Sequence, residues 1–309
     1  MSSERPAGAL RSWLFVPGDS ERKQAKALTT QADALILDLE DSVDPGQLPA
    51  ARSRVRELLG SQPAGTGPQL WVRINPPQGR AWREDLAAAF GERPPDGIVL
   101  PKVSSAEEIV AVGEQLTALE AGRGLSGGAT GLLVIATETP RGLLALPGYP
   151  AALEALPVAA VRLAGLTWGA EDLGAALGAT AKRDAAGALT FPYALARSSC
   201  LLAAAALAVQ AIDGVHVEFR DAQGLARELE EARRDGFSGK LAIHPDQVAA
   251  INAAFTPTEA ERTYALRVVA AFAATGGAGV ASLDGQMIDR PHLIQARRVL
   301  AAVRGPRKS

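Results

Sequence analysis

The chain has 309 residues, 47% hydrophobic and 21% charged, with a formal net charge of −2 at pH 7. That is a globular composition with length enough for a substantial core, and its near-neutral balance offers neither a nucleic-acid surface nor a membrane-binding face. The one cysteine, Cys200, excludes an internal disulfide framework and a thiolate zinc site. No window approaches the ~20 apolar residues of a membrane span and no signal-length apolar core opens the chain, so a cytoplasmic location is expected.

The run 12–17, SWLFVP, closed by Pro17-Gly18, predicts a first strand. A helix follows, with Glu21, Arg22, Lys23 and Lys26 on its polar side. The apolar run 34–39, interrupted by Asp38, predicts a second strand that exits at Glu40-Asp41-Ser42. An arginine-rich helix over 49–59 and a loop over 60–68 lead to a third strand over 70–74, with Arg73 near its exit. A helix over 82–90 and a strand over 97–100 follow, the strand running into Pro101-Lys102-Val103.

The next helix spans 105 to about 119. A fifth strand, built on Leu132-Leu133-Val134-Ile135-Ala136, delivers Glu138 at its exit, ahead of Thr139-Pro140. Helical pieces over 142–146 and 150–156 precede a sixth strand over 158–166, whose exit carries Glu171-Asp172. An alanine-rich helix over 193–209, a seventh strand over 214–218 and an amphipathic helix over 222–234 come next. An eighth strand over 239–243 exits at His244-Pro245, and the remainder reads as helix over 245–254, 257–274 and 291–303.

Eight strand signals alternating with helices predict a (β/α)8 TIM barrel over residues 10–255, with a C-terminal helical extension over 256–309. The nearly wholly apolar strands suit a parallel sheet covered on both faces. A doubly wound open sheet would want a glycine-rich phosphate turn after the first strand, and Pro17-Gly18-Asp19 is not that fingerprint.

Barrel enzymes gather their chemistry at the C-terminal ends of strands. The charged residues at the predicted exits form a compact set: Asp38, Glu40, Asp41, Arg73, Lys102, Glu138 and Asp172. Burying any of them unpaired would cost several kcal/mol, so each is paired, solvated or metal-bound. Glu138 and Asp172, with no histidine or cysteine partner, favour a hard cation such as Mg²⁺, which leaves coordination positions for an oxygen substrate such as a 2-oxo acid. The planar fork of Arg73 suits that acid's carboxylate. The competing reading is that Glu138, Arg73 and Lys102 only form ion pairs at the barrel rim. His216 and His292 read as structural, while His244 sits at a strand exit. A G-x-S-x-G nucleophile elbow is missing from the sequence.

Several of these segments resemble one family. Leu14-Phe15-Val16-Pro17-Gly18-Asp19, Leu35-Ile36-Leu37-Asp38-Leu39-Glu40-Asp41, Val72-Arg73-Ile74-Asn75 and Leu100-Pro101-Lys102 are similar to the citrate lyase beta subunit-like branch of the HpcH/HpaI aldolase superfamily. So are Glu138-Thr139, Gly169-Ala170-Glu171-Asp172-Leu173, Ala242-Ile243-His244-Pro245 and Gly285-Gln286-Met287-Ile288-Asp289, in the same order along residues 11 to 300. Pro140 departs from the alanine of many relatives, at a helix start that tolerates proline.

The resemblance implies an Mg²⁺-dependent carbon–carbon lyase acting on 3-hydroxyacyl thioesters such as malyl-CoA, citramalyl-CoA or citryl-CoA. It matches Glu138 and Asp172 to metal ligands and Arg73 to the 2-oxo acid clamp. Phe15, Arg22 and Lys26 fall in the segment that contacts the coenzyme A nucleotide, and Lys102 joins the substrate-binding set. Asp289, on the C-terminal extension, matches an aspartate that reaches a neighbouring subunit's site. It is the expected acid/base, with Glu40 and Asp41 as orienting carboxylates, in a homotrimer or hexamer. The alternatives are an aldolase on free 2-oxo acids, or a beta subunit of a multi-subunit citrate lyase that serves an acyl-carrier protein.

Overall fold

A computed structural model describes residues 9–63, 65–155, 162–275 and 279–302. Eight parallel strands close into a barrel in sequence order. They are β1 (Ser12–Pro17), β2 (Ala34–Asp38), β3 (Gln69–Arg73), β4 (Gly97–Leu100), β5 (Gly131–Ile135), β6 (Leu163–Thr167), β7 (Gln210–Asp213) and β8 (Gly239–Ala242). β1 pairs with both β2 and β8, which removes every sheet edge.

The two-residue period of the strands sorts the core into two layers. Leu35, Leu37, Val72, Ile98, Leu132 and Val134 pack outward against the helices. Trp13, Ile36, Trp71, Val99, Leu133 and Ile135 fill the barrel. Trp13 and Trp71 meet edge-to-face at 4.8 Å between centroids. Room for the Trp71 ring comes from Gly97 on the adjacent strand, where any β-carbon would overlap it.

The same alternation turns Asp38 and Arg73 inward at the top of the barrel. The parallel register sets Pro17, Asp38 and Arg73 side by side there, so the upper end of β1 to β3 is charged where the lower end is aromatic. Pro140 stands at the first position of helix Pro140–Ala145, whose N-cap Thr139 accepts the Gly142 amide at 2.9 Å.

One expectation is corrected. The seventh strand is Gln210–Asp213, not 214–218. Its charged end misleads a reading by hydropathy: Asp213 is buried outside the barrel in ion pairs with Lys240 at 2.8 Å and Arg197 at 3.1 Å. The segment after it is a connecting loop, and His216 lies there rather than inside a strand.

The C-terminal extension carries its expected helices and, in the stretch between them for which the sequence predicts no element, a hairpin. Strands β9 (Val280–Leu283) and β10 (Gln286–Asp289) pair antiparallel across Asp284-Gly285, both at positive φ (52° and 77°), which is the two-residue turn that an Asp-Gly pair favours. The hairpin packs with helices Glu259–Ala274 and Arg290–Ala302 around a small core of Val268, Phe272, Ala281 and Ile288. The sixth-strand expectation for 158–161 and the last helical residue, 303, lie outside the described residues. Among the described residues no helix is long and apolar enough to cross a membrane.

Candidate active site

The upper end of the barrel opens into a cavity of about 640 Å³. Phe15, Arg22, Lys26, Arg73, Glu138 and Asp172 all line it, so the first βα unit and the exits of β3, β5 and β6 converge on one space. Asp41 and His244 border it as well. Pro17 closes β1, and helix Glu21–Leu28 then carries Arg22, Lys23 and Lys26 to the rim.

Arg73 is the organising cation. Its Nε and Nη2 donate to the two oxygens of Asp38 at 2.6 and 2.7 Å, and Nη1 lies 2.7 Å from Glu40 Oε2. The guanidinium also lies over the Phe15 ring, 4.8 Å from its centroid. Burial pushes the Asp38 carboxyl up, but the two-point contact with Arg73 overrides it and holds the group below the usual carboxylate range. The fork expected to clamp a substrate is therefore engaged by Asp38, and Nη1 is the edge nearest Glu40 and Asp41.

Lys102 follows β4 in the left-handed region, φ 52°. Its ammonium lies 2.5 Å from Glu40, 2.9 Å from Asp41 and 3.4 Å from Asp172. Burial pushes the Glu40 carboxyl up against the lowering effect of Arg73 and Lys102, and the net direction is upward. Among the described residues that line the cavity, Lys102 is missing; its ammonium is engaged by Glu40 and by two lining carboxylates, Asp41 and Asp172.

Glu138 differs from its neighbours. It is 4% exposed, and Oε2 accepts the backbone amide of Lys102 at 2.6 Å. Among the described residues no cationic side chain forms an ion pair with it. Burial, with the fields of Glu40 and Asp172, raises its pKa to about 8 against the opposing amide of Lys102 and charge of Arg73. Space for its side chain comes from Gly169, where a β-carbon would collide with Cγ of Glu138. The Gly169 amide is fixed in turn, donating to Thr137 Oγ1 at 3.3 Å. Asp172 stands in the first turn of helix Ala170–Leu177, with its side chain 34% exposed.

Five carboxyl groups (Asp38, Glu40, Asp41, Glu138 and Asp172) gather around Arg73 and Lys102, while Arg22, Lys23 and Lys26 stand at the rim of the same cavity. A buried, unpaired carboxyl fits a divalent cation with oxygen ligands. Glu138 and Asp172 could hold it, the one buried and the other reached from the cavity. Among the described residues no group of three or more His, Cys, Asp or Glu side chains is placed to hold a metal ion by itself.

Asp289 is not part of this chain's cavity. It ends β10, and its carboxylate lies 2.6 Å from His292 Nδ1 on the C-terminal extension. Sequence reasoning missed Gly169 and the Asp38–Arg73 pairing. It also missed Trp168, which lines the cavity and whose Nε1 donates to Asp213 at 2.7 Å. A glycine set between two acidic strand-exit segments was the available signal for the first. Asp38 and Arg73 each stand one residue before the end of a predicted strand, which was the signal for the second.

A closed parallel barrel whose mouth gathers charged side chains around one cavity has the architecture of a (β/α)8-barrel enzyme. Comparison with known proteins narrows this. The family model HpcH/HpaI aldolase/citrate lyase matches residues 11–245, and a model for carbon–carbon bond lyases of the TIM-barrel fold matches residues 196–304. The chain belongs to the HpcH/HpaI aldolase/citrate lyase family, and its class is the carbon–carbon lyases.

Among its relatives, a (3S)-malyl-CoA thioesterase of Cereibacter sphaeroides is 37% identical over 96% of this chain and 95% of that protein. A mitochondrial citramalyl-CoA lyase of Rattus norvegicus is 34% identical over 94% of this chain and 85% of that protein. Among solved structures, CitE of Mycobacterium tuberculosis in complex with magnesium, acetoacetate and coenzyme A superposes with a TM-score of 0.73 at 33% identity, covering 96% of this chain and 99% of that one.

Proposed function

We propose that this enzyme cleaves, or forms, a 3-hydroxyacyl-CoA thioester, giving an acyl-CoA and a 2-oxo acid, with Mg²⁺ held by Glu138 and Asp172. The observation that carries the reading is Glu138, a buried carboxyl without a cationic side-chain partner that faces a cavity shared with Asp172. Bound there, Mg²⁺ supplies Lewis-acid polarisation of the keto group of the 2-oxo acid.

The chain's own residues do the rest. Arg73 brings positive charge to the substrate carboxylate through Nη1, while Asp38, Glu40 and Asp41 hold its guanidinium in place. Arg22 and Lys26 at the rim favour a phosphate-bearing thioester, coenzyme A, over a free 2-oxo acid aldol. In cleavage the 3-hydroxyl loses its proton, the C2–C3 bond breaks, and the thioester α-carbon takes a proton. Asp289 from a second copy of the chain serves that carbon, with residues 256–309 as the extension that crosses to the neighbouring site. A homotrimer or hexamer in the cytoplasm completes this reading.

The relatives named (3S)-malyl-CoA thioesterase favour a second reading, hydrolysis of the thioester with the carbon skeleton intact. One assay separates them. Purified enzyme is given malyl-CoA and citramalyl-CoA with Mg²⁺ or with excess chelator. Metal-dependent appearance of glyoxylate or pyruvate together with acetyl-CoA is expected. Free malate with free CoA thiol and no 2-oxo acid identifies the hydrolase instead. A carrier-protein substrate is marked by turnover of the thioester only on the acyl-carrier protein.

A further inference from the structure

We propose that the ammonium of Lys102 is a tethered cation that competes with the divalent ion for the carboxylates of the barrel mouth, and that it gives up Asp172 when the ion binds. The inference rests on the reading that Glu138 and Asp172 hold that ion.

Lys102 touches both residues, through different atoms. Its backbone amide donates to Glu138 Oε2 at 2.6 Å, and its ammonium lies 3.4 Å from Asp172 Oδ1. The backbone stands at φ 52°, where a β-carbon crowds the adjacent carbonyl. A glycine would reach this conformation without strain and would make the same amide contact. What the lysine adds is charge.

That charge is shared unequally. Two contacts, to Glu40 at 2.5 Å and Asp41 at 2.9 Å, are hydrogen bonds, and the approach to Asp172 is the longest of the three. Among the described residues Asp172 has no other cationic partner, whereas Glu40 is also held by Arg73. A divalent ion arriving at Asp172 meets the ammonium on the same carboxylate, and two cations there repel. The ammonium can withdraw from Asp172 and keep both of its shorter contacts. By reciprocity of linked equilibria, whatever Lys102 gains from Asp172 is subtracted from the ion's affinity. The residue that orients Glu138 therefore also sets the mouth's affinity for metal below what its carboxylates would give alone.

The test is a Mn²⁺ titration of the full-length protein, followed by electron paramagnetic resonance, on wild type, K102G, K102M and K102R, with thermal melts in parallel. K102G and K102M are expected to bind Mn²⁺ roughly five- to tenfold more tightly than wild type, with K102R within about twofold of it. K102G keeps the backbone conformation and the amide donor, so a disturbed Glu138 does not account for its result. Weaker binding by both neutral variants overturns the proposal and makes Lys102 a builder of the site. Wild type that turns over substrate without binding Mn²⁺ removes the metal reading and this inference together. Wild-type binding that the variants leave unchanged removes this inference alone.

Discussion

A β-carbon on Gly169 would occupy the space taken by Cγ of Glu138. The two residues leave adjacent strands, and the close approach lets a buried carboxyl turn into the cavity without a cation beside it. Gly169→Ala should therefore displace Glu138 while leaving the barrel core untouched. The expected result is at least a tenfold loss of Mn²⁺ affinity and of lyase kcat/KM, with destabilisation of about 1–2 kcal/mol. Isothermal titration and urea unfolding measure the two effects. A large loss of stability with unchanged metal affinity would contradict the assignment.

Glu138 couples metal binding to pH. Burial is the main cause that pushes its carboxyl up to about 8 from an ordinary value of 4.5. A ligating carboxylate must be ionised, so metal and proton compete below pH 8. Apparent Mg²⁺ affinity should fall close to tenfold from pH 7.5 to 6.5 and level off above pH 8.5. The same shift lowers the stability of the metal-free fold as pH rises from about 4.5 to 8, because the raised folded value favours the proton in the native state. Glu138→Gln should abolish metal binding yet make the metal-free protein more stable at pH 8, by roughly 1–3 kcal/mol. Melting curves in chelator at pH 5 and pH 8 check the sign.

Asp213 supports the opposite wall. Burial pushes its carboxyl up, but Lys240, Arg197 and the Trp168 indole hold it below the ordinary value of 3.8. Its contribution to stability is present above that value and is lost as pH falls through the lower folded one. Asp213→Asn leaves Lys240 with Glu228 at 3.1 Å and Arg197 with Asp235 at 2.6 Å, so it should cost about 1–3 kcal/mol at pH 7. The difference from wild type should shrink below pH 3. Trp168→Phe removes only the indole donor, so its loss at pH 7 should be about 1–2 kcal/mol.

The proposed role of Asp289 makes a prediction about mixtures. Asp289→Ala should lose most lyase activity and keep wild-type Mn²⁺ affinity, because its carboxylate lies with His292 away from the chain's own cavity. If it acts across subunits, refolding Asp289→Ala together with Glu138→Gln regenerates sites that carry both native residues. Recovery of a fraction of wild-type activity from two inactive variants is expected. Full activity in Asp289→Ala alone would remove the residue from the mechanism.

Much of the barrel was legible because its signals are local. Continuous apolar runs such as 132–136 have no other place than a doubly covered strand, and acidic residues at their ends announce the mouth. β7 was not legible, because Gln210 and Asp213 are buried with partners from other elements: Asp213 with Lys240 and Arg197, and Gln210 with Leu10. Arg73 lines the mouth cavity, but its commitment to Asp38 depends on strand register, which hydropathy does not report. The β9–β10 hairpin carried an Asp-Gly signal that the surrounding helical pattern obscured. The pairing of Lys102 with both Glu138 and Asp172 depends on a left-handed backbone at a residue that rarely adopts one.

The most direct test of the central claim is the position of the metal. Crystals grown with Mn²⁺ and pyruvate, measured at the manganese absorption edge, locate the ion by its anomalous signal. The account predicts one strong peak in the barrel mouth, about 2.1–2.2 Å from a carboxylate oxygen of Glu138 and one of Asp172, with pyruvate oxygens completing the sphere. A peak bound instead by Glu40 and Asp41, or no peak in the cavity of a preparation that cleaves the thioester, would contradict it.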